Sequence, residues 1–150
     1  MSFHRRWPWL ATLLFAAAPV FAASLERGMA AVEQRDWAAA LREFKPLAER
    51  GDAEAQVNLG NLYMKGFGVE QDYQRAFGWY LKAAELDNPM GQGKLGVMLY
   101  YGLGVRKNPA AAANWFRQAA AHGDAGSASI LGALHAVGDG VEKDRVQAYV

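Results

Sequence analysis

The chain has 150 residues, with 16 Lys and Arg against 15 Asp and Glu, and no cysteine. That near-neutral balance excludes the basic stripe with which nucleic-acid binders neutralise phosphates. The missing thiols exclude disulfides, thiolate metal sites and lipid attachment through a cysteine at a cleavage site.

The first segment has the organisation of an export signal. His4, Arg5 and Arg6 are a basic start, and an apolar run follows from Trp9 through Phe21. Val20-Phe21-Ala22 puts small residues at the two positions a signal peptidase reads, so residues 1–22 are expected to be cleaved off before Ala23. A membrane anchor is the competing reading, but a spanning helix needs about 20 apolar residues, and this run is shorter and carries Pro19. Trp7-Pro8-Trp9 after the arginine pair does not suit twin-arginine export, which leaves general secretion. Cleavage leaves 128 residues (150 less 22), the size of one domain. Taking Arg5 and Arg6 from the 16 basic residues leaves 14 against 15 acidic ones. The expected product is soluble and periplasmic or secreted.

Residues 23–50 read as a lead-in helix pair. Leu25, Met29 and Val32 mark a short helix, Gln34-Arg35 turns the chain, and Asp36 caps a second helix to about Glu49. Pro46 lies inside that second helix, where proline is expected to bend or end it. From residue 51 a block of 36 residues recurs. Leu59-Gly60 returns as Leu95-Gly96 and Leu131-Gly132, and Gly66-Phe67-Gly68-Val69 returns as Gly102-Leu103-Gly104-Val105 and Gly138-Asp139-Gly140-Val141. Trp79-Tyr80 returns as Trp115-Phe116, and Ala83-Ala84 as Ala119-Ala120. Self-similarity at this period marks stacked supersecondary units, none of which can bury its apolar face alone. The units are 51–86, 87–122 and 123–150; the last stops before its aromatic pair, and the pattern is expected to continue beyond Val150.

Each unit reads as helix, Gly-rich turn, helix. Asp52, Asn88 and Asp124 stand in register before the first helices, and Asp72, Asn108 and Asp144 before the second. These side chains accept hydrogen bonds from the free N–H groups of a helix start. Pro89 and Pro109 sit at the first helical position, where no donor is lost. The Gly-x-Gly-Val glycines can take positive φ at the helix end, and the valine is expected to tuck between the two helices. Gly60, Gly96 and Gly132 fall mid-helix, at a cost of about 1 kcal/mol each relative to alanine. They predict a close approach of the neighbouring helix, with Trp79, Tyr80, Trp115 and Phe116 filling the gaps between successive units.

With these motifs on the page, the chain resembles the Sel1-like repeat family. The resemblance rests on Gly51-Asp52-Ala53-Glu54-Ala55-Gln56, Leu59-Gly60-Asn61-Leu62-Tyr63, Gly66-Phe67-Gly68-Val69, Asp72-Tyr73, Ala76, Trp79-Tyr80 and Lys82-Ala83-Ala84-Glu85, and covers residues 51–150. His135, where unit one has Tyr63, and Ala136, where unit two has Tyr100, depart from the pattern. The resemblance implies an all-α, α/α superhelical solenoid of helix-turn-helix repeats related to tetratricopeptide arrays. It also implies an adaptor or scaffold role in protein complexes, often at bacterial envelopes.

Chemistry is scarce. Gly91-Gln92-Gly93-Lys94-Leu95-Gly96 matches the dinucleotide fingerprint in letters, but it lies within a repeat helix with no strand before it, and that motif works only between strand and helix. His122 and His135 lack carboxylate or thiolate companions at ligand spacing. Ser127 and Ser129 lack a nucleophile elbow. The expectation is a non-enzyme with no cofactor and no metal. The remaining candidate is the concave face lined by the first helices, with Glu54, Val57, Asn61, Met64, Met90, Val97 and Tyr100 as partner-binding residues. Lys65, Tyr101, Ser129, Ala133 and Ala136 flank them. Methionine and tyrosine anchors beside an amide suit a protein or peptide segment. The rival readings are a cell-wall or polysaccharide binder using the rings of Trp79, Tyr100 and Trp115, and an accessory domain of a longer envelope enzyme.

Overall fold

In a computed structural model the described residues are 23–143. They form seven helices in chain order and no strand: α1 (Leu25–Glu33), α2 (Trp37–Glu49), α3 (Ala53–Lys65), α4 (Tyr73–Glu85), α5 (Pro89–Tyr101), α6 (Pro109–Ala121) and α7 (Ala125–Val137). Each helix packs on its neighbours in the chain, and α3 also touches α5 across the unit boundary. This is an all-α helix-pair solenoid. The expected export signal (residues 1–22), Asp144 and the second helix of the third unit lie outside the described residues.

The helix starts follow from the caps. The side chains of Asp52, Asp72, Asn88, Asn108 and Asp124 accept from the N–H groups of Ala55, Arg75, Gly91, Ala111 and Ser127 at 2.7–3.0 Å. Asp36 does the same for Ala39 at 3.0 Å. Each such cap stabilises its helix by about 1 kcal/mol. The first helices of the units end in left-handed glycines, Gly66, Gly102 and Gly138, whose N–H groups return to Leu62, Met98 and Leu134. The lead-in instead turns on Arg35 at φ 57°. There Glu43 accepts from the Ser24 N–H at 2.8 Å and from Arg27 Nη2 at 2.9 Å. The Arg27 hydrogen bond, then the Ser24 N–H, hold the Glu43 carboxyl below the usual carboxylate range. This clamp contributes at neutral pH and is lost as pH falls through that lowered value.

Pro46 does not end α2, which runs on to Glu49. Ala40, Phe44 and Ala48 are buried along one stripe on both sides of the proline, and that packing holds the last turn in place.

The core is a ladder of rings set into glycines. A Cβ on Gly60 would lie 2.6 Å from the Tyr80 ring, and one on Gly96 would lie 2.7 Å from the Phe116 ring. Gly28 and Phe44 make the same pair in the lead-in, at 2.3 Å. Gly60 and Gly96 thus receive an aromatic ring from the second helix of their own unit. Tyr80 and Phe116 also belong to a core cluster that runs across the units, with Leu95, Met98 and Leu134. Trp79 and Trp115 are half-buried outside this ladder. Val69, Val105 and Val141 are partly buried against the core, as the turn motif predicts.

The joints between units are made elsewhere. The second glycine of each turn meets the first turn of the preceding unit's second helix: Gly68 at Trp37, Gly104 at Tyr73-Gln74 and Gly140 at Pro109-Ala110. Phe67 stacks on Trp37 with ring centroids 4.3 Å apart. Two buried glutamines add a polar rung. Gln56 Nε2 donates to the Ala48 carbonyl at 3.1 Å, and Gln92 Nε2 to Ala84 at 3.3 Å.

Candidate functional site

The first helices share one side of the solenoid, and a cavity of about 340 Å³ opens there. Its walls come from every unit. Met29 of α1 faces Glu54, Val57 and Asn58 of α3; Asn88, Pro89 and Met90 supply the start of α5; His122, Gly123 and Asp124 close it from the α6–α7 turn. That volume is at the lower end of the range of about 300–1,000 Å³ typical of ligand pockets. Among the described residues no group of three His, Cys, Asp or Glu could hold a metal ion, and no helix is long and apolar enough to cross a membrane.

The seven residues selected from the sequence divide. Glu54, Val57 and Met90 line the cavity. Met90 is 56% exposed, whereas Val57 is 1% exposed and forms a floor continuous with the core. The other four lie outside the cavity lining. Met64, Val97 and Tyr100 are partly buried against the core. The Tyr100 hydroxyl donates to Asp139 at 2.7 Å, joining unit two to the turn of unit three. That hydrogen bond, then burial, pushes the Tyr100 phenol above its usual range. Tyr101, at the flank, is 67% exposed.

Asn61 serves the core rather than the cavity. Its Oδ1 accepts from the fully buried Tyr80 hydroxyl at 2.8 Å, and burial pushes the Tyr80 phenol well above its usual range. In unit two the same two positions hold Val97 and Phe116, a matched apolar pair. Asn61→Val is therefore expected to cost about 1–3 kcal/mol by leaving the Tyr80 hydroxyl buried without its partner. Asn61→Val with Tyr80→Phe copies unit two and should recover most of that loss. Urea denaturation of the two single variants and the double variant measures the coupling; additive losses would exclude it.

Sequence reading missed Met29, Asn58, His122 and Asp124 as cavity residues. Met29 was hidden by a change of register. The lead-in turn is four residues shorter, so Gly28 matches Gly60 at a step of 32 while Phe44 matches Tyr80 at 36. Gly28 was the signal that could have placed Met29 opposite α3. His122 is the C-cap residue of α6, and its Nδ1 lies 3.1 Å from Gln92 Oε1. Asp124 was legible only as a cap. The fingerprint-like glycines are used for packing: a Cβ on Gly91 would lie 2.7 Å from that of Ala83, and Gly96 faces Phe116.

Fold and cavity together define a helix-pair repeat protein whose units share a cavity. The Sel1 repeat family model matches residues 53–88, 89–124 and 126–150, and the chain belongs to the Sel1 repeat family. It is 51% identical over 43 residues to protein sel-1 homolog 2 of Mus musculus, covering 28% of this chain and 6% of that protein. Among solved structures it superposes on a Sel1 repeat protein from Oxalobacter formigenes with a TM-score of 0.79 and 31% identity, over 83% of this chain and 51% of that one. Another match is c5321, a protective antigen of uropathogenic Escherichia coli displaying an SLR fold. Its TM-score is 0.72 at 38% identity, over 75% of this chain and 24% of that one. Helicobacter pylori cysteine rich protein B shares the fold, with a TM-score of 0.60 at 24% identity, over 71% of this chain and 90% of that one. The chain thus spans about half of the Oxalobacter protein and a small fraction of the mouse protein. Sel1 repeats are scaffolds, typically non-catalytic, that generally mediate protein–protein interactions.

Proposed function

We propose that this chain is an exported, non-catalytic scaffold of the bacterial envelope that docks a segment of a protein partner on its first-helix face. The observation that carries this reading is the cavity itself, built by α1, α3, α5 and the α6–α7 turn, with Met29 and Met90 40% and 56% exposed at its mouth. Exposed methionines beside a buried floor make an adaptable apolar surface. The surrounding helices are fixed by their own caps and ring–glycine contacts, so docking orders little of the receptor. Export is supported by the basic start, apolar run and small residues of positions 1–22.

The test is affinity capture from an envelope extract with wild type beside Met29→Asp/Met90→Asp, with circular dichroism on both. A protein held by wild type and lost by the double variant at unchanged helical content is the expected result. Retention of every partner by the double variant would remove the cavity as the docking site. Sugar stacking has less support, because Lys82 lies over the Trp79 ring at 4.3 Å and Asp139 engages the Tyr100 hydroxyl.

A further inference from the structure

We infer that the occupant of the first-helix cavity is a peptide segment presenting a lysine or arginine next to an apolar side chain. This rests on the docking reading above and adds the chemistry of the partner.

The argument is one of charge complementarity within an apolar groove. The titratable residues lining the cavity are Glu54, Asp124 and His122, with no lysine or arginine among the lining residues. Glu54 is exposed, and its carboxylate makes no hydrogen bond or ion pair among the described residues. Asp124 spends Oδ2 on the Ser127 N–H at 2.7 Å. His122 Nδ1 is engaged by Gln92 Oε1. Glu54 is therefore the carboxylate with both oxygens left for a partner.

Helix starts carry a partial positive charge of about half a unit and would favour an anion. Here Asp52 and Asp124 already answer two of them, and Pro89 removes a donor from the third. The full negative charge on Glu54 outweighs what remains. Beside it, Met29, Pro89 and Met90 offer an apolar bed. Lysine and arginine fit both features at once, because their methylene stems lie along apolar surface while the charged head reaches the carboxylate. An acidic segment would meet Glu54 and Asp124 as like charges.

Selection from a random-peptide display library against the wild-type chain tests this, with Met29→Asp/Met90→Asp as the counter-target. A labelled selected peptide is then titrated by fluorescence anisotropy. The expected result is enrichment of Lys or Arg adjacent to an apolar residue. Glu54→Gln should weaken binding about three- to fivefold, the upper part of the range of an exposed ion pair. Glu54→Lys should weaken it further and be restored by changing the peptide's basic residue to Glu. Affinity should fall with added NaCl. Cavity-dependent peptides that lack basic enrichment, or that ignore Glu54→Gln, would overturn the inference while leaving the docking reading intact. Peptides that bind the double variant equally, or no selected peptide at all, would overturn both. Glu54 is solvent-exposed, and equal circular dichroism of Glu54→Gln and wild type separates lost binding from lost fold.

Discussion

Phe116→Ala is expected to cost about 3–5 kcal/mol, the range for emptying a buried aromatic site. Phe116 is 1% exposed and seats its ring on Gly96 of α5, the last ring–glycine pair among the described residues. Removing it strands a glycine on one wall of the void and small alanines nearby, Ala112 and Ala113, on the other. Collapse is limited because α5 and α6 are anchored at their starts by Asn88 and Asn108. Urea denaturation followed by circular dichroism gives the number. A second variant distinguishes ring–glycine complementarity from loss of bulk. Gly96→Ala alone would push a methyl to 2.7 Å from the ring and should destabilise. Added to Phe116→Ala, the same methyl enters empty space and gains about 1 kcal/mol of helix propensity, so the double variant should be more stable than Phe116→Ala. If Gly96→Ala is destabilising to the same degree in both backgrounds, the pairing is wrong.

Gly104→Ala is expected to cost about 2–5 kcal/mol, from two sources. At φ +67° a Cβ carries left-handed strain of about 1–2 kcal/mol. The methyl would also sit 2.6 Å from the Tyr73 carbonyl carbon and 2.8 Å from the Gln74 nitrogen. Backbone cannot rotate away as a side chain can, so relief requires lifting the turn of unit two off the start of α4, an overpacking cost of about 1–3 kcal/mol. Gly123→Ala is the control, because Gly123 has φ +91° and nothing within 4 Å of its Cβ position. It should show the strain alone, about 1 kcal/mol. Thermal or urea unfolding of both variants separates the two effects. Equal losses would mean that the second glycine of the turn is not a joint between units.

These experiments bear on the aspect of the chain that repeat spacing reveals least. Asp52, Asp72, Asn88, Asn108 and Asp124 were legible as helix starts because a cap acts on an N–H three residues away. Gly66 and Gly102 were legible as helix ends for the same local reason. Gly68 and Gly104 were legible as turn residues, but not as the points where one unit rests on the one before. Pro46 left two outcomes open, a bend or an end, and α2 does not end there: its buried stripe of Ala40, Phe44 and Ala48 continues past the proline. Of the ten residues lining the cavity, Glu54, Val57 and Met90 were among those selected from the sequence, while Met29 was obscured by the shorter lead-in turn. Asn61 illustrates the remaining difficulty. On α3 it looks like an amide offered to a partner, and its use by Tyr80 becomes visible only when α4 is packed alongside.

From the sequence alone came the helix boundaries, the repeat period and the all-α class, since caps, glycines and apolar spacing act within a few residues along the chain. Only the tertiary structure decided which polar groups are consumed inside the solenoid and which remain for a partner. Asn61 and Tyr80 are 19 residues apart, and Tyr100 and Asp139 are 39 apart. A hydrogen bond at 2.7–2.8 Å between such residues depends on how two helices or two units come to rest against each other. Glu54 makes no ion pair among the described residues, and the packing that places it on the cavity brings no lysine or arginine into the lining.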